Sequence, residues 1–330
     1  MKKRQLLTSG KSVSEIGLGC MSFAGFYGST TEQEAHETLT AALDLGIDFL
    51  DTANVYGNGL SENIIGSFLK GDDSKFAIAT KGSIWRDPDT GERGFNNKPA
   101  YLREELEKSL QRLGLDHVAL YYIHRRDTDV EIEAVMETLL SFKAEGKIGG
   151  IGFSEISPAS LRRAAAIGPV DAVQSEYSLW TRYPELGMIQ TCKELGVAFV
   201  PFSPVGRGIF ATRTPDLADF ADNDFRKNTP RFSEPNFSYN VKQVEEFKTL
   251  AADHGTTSIA LAIAWCLAKG DHLLPIPGTR TAEHLAECAA GSALNMTSEL
   301  MSDIERVLPV GWAHGDRYTP AQWIGPERYC

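Results

Sequence analysis

Eight short apolar runs, at residues 16–19, 47–50, 76–80, 118–123, 148–153, 171–175, 197–201 and 273–276, are each followed by a polar or helix-patterned segment. Strands that alternate with helices form parallel sheets, because a crossover element must carry the chain back before a parallel neighbour can start. Eight such units without a break in composition predict one domain over residues 1–330, a (β/α)8 TIM barrel. An open, doubly wound sheet is the runner-up. It is weakened because Gly17-Leu18-Gly19-Cys20-Met21-Ser22 lacks a third glycine and no acidic residue follows at the needed strand end. With 42% hydrophobic residues, the 330-residue chain can bury a core of barrel size.

The punctuation between the runs is specific. Thr31-Glu32-Gln33-Glu34 reads as a capping box opening a helix with Ala35, Leu39 and Ala42 on one face. Gly46, Gly146 and Gly196 each end a helix just before an apolar run, where a left-handed residue turns the chain back to the sheet. Ser61 is expected to cap a second helix, and Ser157-Pro158 opens another with Ser at N-cap and Pro at N1. Three segments depart from the repeat. Residues 5–15 predict a hairpin turning at Thr8-Ser9-Gly10-Lys11, before the first barrel strand. Residues 206–238 form a long irregular segment, and loops of that length are functional or disordered. The tail from Leu308 to Cys330 carries Trp312, His314, Tyr318 and Trp323, and folds either over the barrel mouth or against its side.

A net charge of −11, with no basic cluster beyond Lys2-Lys3-Arg4, disfavours nucleic acid as the main partner. No apolar stretch follows that basic start, so no signal peptide is read. The longest apolar stretch, 259–268, is too short to span a bilayer. The five cysteines, Cys20, Cys192, Cys266, Cys288 and Cys330, are scattered and odd in number, which predicts free thiols and a cytoplasmic location. Glu283-His284 beside Cys288 lacks a matched second histidine, and no metal is expected. His117 is expected at the entry to the fourth strand, far from any chemistry.

Four ionisable residues sit just past consecutive runs: Asp51 and Tyr56 after the second, Lys81 after the third and His124 after the fourth. On a parallel barrel these positions converge at the C-terminal rim, where such barrels do chemistry. A phenol has an unperturbed pKa of about 10 and donates poorly near neutrality. A neighbouring ammonium favours its ionised form, so Lys81 is expected to tune Tyr56, with Asp51 holding the lysine and His124 hydrogen-bonding a substrate oxygen. The set predicts an enzyme that moves a proton onto or off an oxygen.

These residues lie in segments that resemble the aldo-keto reductases over nearly the whole chain. The resemblance rests on Asp51-Thr52-Ala53-Asn54-Val55-Tyr56-Gly57, Ala79-Thr80-Lys81-Gly82, Leu120-Tyr121-Tyr122-Ile123-His124-Arg125-Arg126-Asp127, Gly150-Ile151-Gly152-Phe153-Ser154-Glu155 and Val173-Gln174-Ser175-Glu176-Tyr177-Ser178, in the family's order and spacing. It implies a (β/α)8 barrel whose bottom is plugged by the N-terminal hairpin. It also implies a nicotinamide cofactor, NADPH (NADP+), and reduction of a small carbonyl compound to an alcohol. Tyr56 then looks like the proton donor, Lys81 and Asp51 its tuning pair, and His124 the carbonyl-orienting group. Ser154 and Gln174 resemble the groups that bond the nicotinamide carboxamide. Phe202 falls where an aromatic stacks on the nicotinamide ring, and Ser203, Val205 and Gly206 where the chain follows ribose and pyrophosphate. Gly278, Thr279 and Arg280 look like the segment that meets the adenosine 2′-phosphate.

The sequence also departs from the family pattern. Ser154-Glu155 replaces the frequent Ser-Asn, and Glu155 is expected to accept from the carboxamide NH2. Gly278 replaces a lysine, leaving Arg280 as the cation for a 2′-phosphate. With Asn223-Asp224-Phe225-Arg226, these features most resemble the branch that includes perakine reductase and related bacterial reductases. Gly206-Arg207-Gly208 reads either as a turn with Arg207 at the pyrophosphate or as a flexible glycine pair. Trp85 reads either as a substrate-pocket residue on a loop or as a buried structural tryptophan. Working as an alcohol dehydrogenase is one alternative function. The other is a non-catalytic cofactor-binding subunit, as in the related β-subunits of potassium channels. Substrate identity and oligomeric state are not legible.

Overall fold

The computed structural model describes residues 1–87, 89–222 and 224–328; Asn223 and the thiol expected at Cys330 lie outside them. Strands β1 (Lys3–Gln5) and β2 (Ser12–Ser14) pair antiparallel. The parallel sheet is built from β3 (Leu18–Gly19), β4 (Phe49–Asp51), β5 (Ala77–Gly82), β8 (Leu120–Ile123), β9 (Ile151–Ser154), β10 (Ala172–Glu176) and β11 (Ala198–Phe202), in that spatial order. Between β5 and β8, β6 (Ile84–Arg86) and β7 (Arg93–Phe95) form a separate antiparallel pair.

Residues 272–278 occupy the eighth position and close the ring. Phe199 N–H donates to His272 O, and Leu274 and Ile276 donate to β11 carbonyls. On the opposite edge, Gly17 and Gly19 donate to the carbonyls of Pro275 and Pro277. Those two prolines have no N–H to return toward β3, so this segment makes isolated bridges rather than a continuous ladder.

Helices α1 (Glu32–Asp44), α2 (Leu60–Leu69), α3 (Pro99–Leu113), α4 (Ile132–Ala144), α5 (Pro158–Ile167) and α6 (Met188–Leu195) come first. They are followed by α7 (Asn236–Asp253), α8 (Ser258–Ala268), α9 (Ala282–Ala290) and α10 (Ser298–Val307). The Thr31–Glu34 capping box is formed at α1, and Ser157 accepts from Ser160 N–H at α5. Ser61 does not cap α2. The N-cap is Gly59, at φ 90°, and the Ser61 hydroxyl is buried, donating to Cys20 O and accepting from Thr52. The apolar 259–268 stretch lies in α8, which is buried from Ser258 to Leu267.

One face of each barrel strand packs outward on the helices, through Leu50, Ile78, Tyr121, Ile151, Phe153, Val173 and Phe199. The other face fills the barrel with Phe49, Ala77, Ala79, Leu120, Tyr122, Ala172, Ala198, Val200, Leu274 and Ile276. Leu6, Leu7 and Val13 of the N-terminal hairpin belong to the same buried cluster, because the small alanines leave room for them. The four cysteines among the described residues are free and buried.

Candidate active site

Period-two alternation decides which side chains reach the barrel mouth. Asp51 follows Phe49, Lys81 follows Ala79, His124 follows Tyr122, Gln174 follows Ala172, Phe202 follows Val200 and Gly278 follows Ile276, each by two residues. Each therefore continues an inward-facing row beyond the last core layer, at the C-terminal ends of the strands. Asp51, His124, Gln174, Phe202 and Gly278 line a cavity of about 480 Å³. Lys81 lies beneath the cavity floor, fully buried.

Tyr56 comes from the turn after β4. That turn needs glycine at 57, where φ is 61° and an added Cβ would meet Leu60 Cβ at 2.9 Å and Ala24 Cβ at 3.0 Å. The Tyr56 ring centroid lies 5.2 Å from Lys81 Nζ and 5.8 Å from the His124 ring, edge to face. Lys81 Nζ donates to Asp51 Oδ1 and, at 2.8 Å, to Thr52 O. Gln174 Nε2 donates to Asp51 Oδ2 at 2.8 Å. The four expected residues thus converge.

Burial, and then the Asp51 carboxylate, hold the Tyr56 phenol well above its ordinary value. Lys81, bonded to Asp51, is not among the strongest influences on the phenol. The cation with the largest effect on the phenol is Arg125, which lowers it. Burial pulls Lys81 down and Asp51 up, while their mutual attraction opposes both shifts. Burial, reinforced by Arg125 and Lys81, holds His124 well below its ordinary value, so the imidazole is neutral.

The other end of the cavity carries the expected cofactor residues. Ser154, Phe202, Ser203, Val205, Arg207, Gly278, Thr279 and Arg280 all line it. The Ser154 hydroxyl accepts from Arg125 at 3.0 Å, which leaves its own proton to donate. The backbone at Gly278 packs closely on Ser22 and Gly19; an added Cβ would lie 3.3 Å from Ser22 Oγ and 3.4 Å from Gly19 O. Arg280 is exposed and donates to Ser29 O at 3.1 Å, across Gly28. A hydroxyl, an amide and an aromatic face at one end, with arginines and a glycine cradle at the other, fit a dinucleotide.

Three expectations are corrected. Glu155 is not a cavity residue. Its carboxylate is buried, bonded to the Arg317 guanidinium and to Glu176 N–H at 2.9 Å, so it has no reason to seek a carboxamide. Trp85 is on β6, paired with Gly94, and its indole covers that glycine; strand alternation turns Ile84 and Arg86 to the cavity instead. Gly206 is buried behind the cavity wall, where an added Cβ would meet Ile209 and Phe210, and it serves the turn rather than the lining. Arg207 reaches the wall, but its guanidinium bonds Glu176 at 2.6 Å and stacks on Phe225 and Tyr318.

Several lining residues were not assigned to the site from the sequence. Tyr318 and Gln322 bring the C-terminal tail over the mouth, while Trp312 anchors the same tail to the side through Leu179 O. Arg213, Phe225 and Arg226 bring in the 206–238 segment. Arg86, Arg93 and Arg125 complete the wall. Arg125 could have been suspected from its place beside His124.

Comparison with known proteins agrees with this geometry. Residues 15–309 match the sequence profile of the Aldo/keto reductase family. The chain is 38% identical over 316 residues to the "Aldo-keto reductase yakc [NADP(+)]" of Schizosaccharomyces pombe, covering 94% of this chain and 92% of the relative. It is 38% identical over 321 residues to "Probable aldo-keto reductase 1" of Glycine max, covering 95% and 91%. Among solved structures, the glycerol dehydrogenase AKR11B4 of Gluconobacter oxydans superposes with a TM-score of 0.85 at 25% identity, over 96% of this chain and 98% of that one. The holo form of aldo-keto reductase AKR11C1 of Bacillus halodurans gives 0.78 at 27% identity, over 97% and 99%.

Proposed function

The chain belongs to the aldo/keto reductase family, and from that premise we propose that it is an NADPH-dependent reductase of aldehydes or ketones with Tyr56 as the proton donor. Family membership carries the coarser statement: a nicotinamide-dependent oxidoreductase acting on small carbonyl compounds and alcohols. The observation that supports the finer one is the convergence of Tyr56, His124 and the buried Lys81–Asp51 pair on one cavity wall, beside Ser154 and Gln174.

A nicotinamide cofactor supplies the hydride when bound. Ser154 and the Gln174 amide would hold its carboxamide, Phe202 would present a face to the ring, and Arg280 with Thr279 would meet a 2′-phosphate. Neutral His124 orients the carbonyl oxygen as a hydrogen-bond donor without competing for the proton. Tyr56, kept protonated by burial and Asp51, gives its proton to that oxygen as negative charge develops on it. Arg125, with Lys81 beneath the ring, then stabilises the phenolate left behind. Run in reverse, the same groups oxidise an alcohol with Tyr56 as base.

Turnover of a panel of aldehydes and ketones with NADPH and with NADH tests the reading. Reduction of at least one carbonyl, faster with NADPH, is expected. Tight NADPH binding with no turnover across the panel contradicts it and favours a non-catalytic subunit.

A further inference from the structure

The cavity contains two groups of arginines in different states. Arg207, Arg213 and Arg226 each have a carboxylate partner: Glu176, Asp219 and Asp224. Arg86, Arg93, Arg125 and Arg280 have none among the described residues, and Arg280 stands at the cofactor end. Arg125 donates to His124 O at 2.6 Å and to Ser154 Oγ at 3.0 Å. Arg93 makes a long contact, 3.4 Å, to Ile324 O and lies 5.9 Å from the Phe95 ring centroid. In a chain of net charge −11, three cations without acid partners in one cavity wall are unusual company.

Their arrangement makes this more costly. Arg86 and Arg93 are directly opposed in the register of β6 and β7. Like charges directly across an antiparallel pair destabilise it. Burial, then Arg125 and more weakly Arg86, hold Arg93 below its ordinary value, so the three repel one another. The fold tolerates this repulsion beside His124, the residue proposed to orient the carbonyl.

The ring order separates this group from the cofactor's phosphates. The β6–β7 hairpin follows the third barrel strand, β5, and Arg125 follows the fourth, β8. Ser203 follows the seventh, β11, and Gly278–Arg280 the eighth position, across the mouth. An anion held by Arg86, Arg93 and Arg125 is therefore a second one, on the substrate side.

We propose that the physiological substrate is an anionic carbonyl compound, whose carboxylate or phosphate is held by Arg93 and Arg86 on the β6–β7 hairpin, with Arg125 beside the reacting carbonyl. This deepens the reductase reading and rests on it. Forked guanidinium donors match both anions, and charge-assisted pairs are about twice as strong as neutral ones.

The test compares substrates with and without the anionic group. With saturating NADPH, 4-carboxybenzaldehyde is set against methyl 4-formylbenzoate, and glyceraldehyde 3-phosphate against glyceraldehyde. The acid or the phosphate, or both, should exceed its neutral partner in kcat/KM by at least about ten-fold. Whichever does so identifies the anion. In the Arg86→Gln/Arg93→Gln double variant that preference should fall toward one, through KM rather than kcat. Equal or better use of both neutral partners overturns the proposal, as does a preference that survives the double variant. If no carbonyl turns over, the reductase reading fails separately. Calorimetric titration of the NADP+-loaded protein with 4-(hydroxymethyl)benzoate and its methyl ester then decides: tighter binding of the anion, lost in the double variant, supports the anion site, and equal binding removes it.

Discussion

Arg317, in the C-terminal tail, closes a two-pronged ion pair on Glu155 at the exit of β9, 162 residues earlier in the chain. Both side chains are buried. Glu176, at the end of β10, lies 3.6 Å from the same guanidinium and also takes Arg207 and the Thr181 hydroxyl. The tail is therefore fastened to two strand exits and to the 206–238 segment, and this fastening holds Tyr318 and Gln322 over the cavity.

Removing the cation should release the tail. Arg317→Met leaves buried carboxylates without their partner, which costs about 3–5 kcal/mol where measured. Urea unfolding should report a loss of that order, with new protease cleavage after Leu308. Glu155→Gln should likewise lower stability while changing cofactor affinity little. A large rise in the cofactor Kd with unchanged stability would return Glu155 to the carboxamide.

The network also makes an acid-sensitive contribution. The arginines around Glu176 outweigh its burial and hold its carboxyl at about 2, against an ordinary 4.5. A depressed folded value means that the stabilisation is present above about 4.5 and is lost as pH falls toward about 2. Unfolding free energy should fall across that window by up to about 1.4 kcal/mol per pH unit from this group. Glu176→Gln should flatten that part of the curve. An equally steep curve in the variant would assign the acid sensitivity elsewhere.

Lys81 and Asp51 should behave as a unit. Asp51→Leu strands a buried ammonium and should destabilise by about 3–5 kcal/mol. Adding Lys81→Met should restore most of the stability without restoring turnover, because the phenolate then lacks the cation beneath the ring. Calorimetric unfolding with parallel kinetics separates the two effects. A double variant that regains activity would show that the pair serves packing alone.

Arg280→Ala should weaken NADPH by roughly ten-fold, as expected for loss of a charge-assisted bond of about 1.5–3 kcal/mol. NADH affinity should barely move. Fluorescence titration with both cofactors is the check, and equal losses would place Arg280 away from the 2′-phosphate.

Much of this architecture is legible in the sequence because its causes are local. Glycines at 46, 146 and 196 adopt left-handed backbone at helix ends, and the period-two rows that run into Asp51, Lys81, His124 and Gln174 are visible as letters. What the sequence hides is long-range or conformational. Nothing near Glu155 announces Arg317. Trp85 reads as a loop residue because its strand is three residues long and pairs across Gly94. Gly59 rather than Ser61 begins α2 because the Ser61 hydroxyl is drawn inward to Cys20 O. The sequence also hides that Arg125 is the cation with the largest effect on the Tyr56 phenol, because it shows only that Arg125 adjoins His124.

The central claim is that Tyr56 delivers a proton as hydride reaches a carbonyl carbon. The most direct measurement is transfer of label from NADPH deuterated at C4 to an aldehyde of the panel, followed by mass spectrometry in the wild type and in Tyr56→Phe. The account predicts one deuterium on the carbinol carbon of the wild-type product. In the variant, the labelling rate should be lower by roughly 10²–10⁴-fold, with NADPH still bound. Undiminished transfer in Tyr56→Phe, or NADPH binding without any labelled alcohol in the wild type, would contradict it.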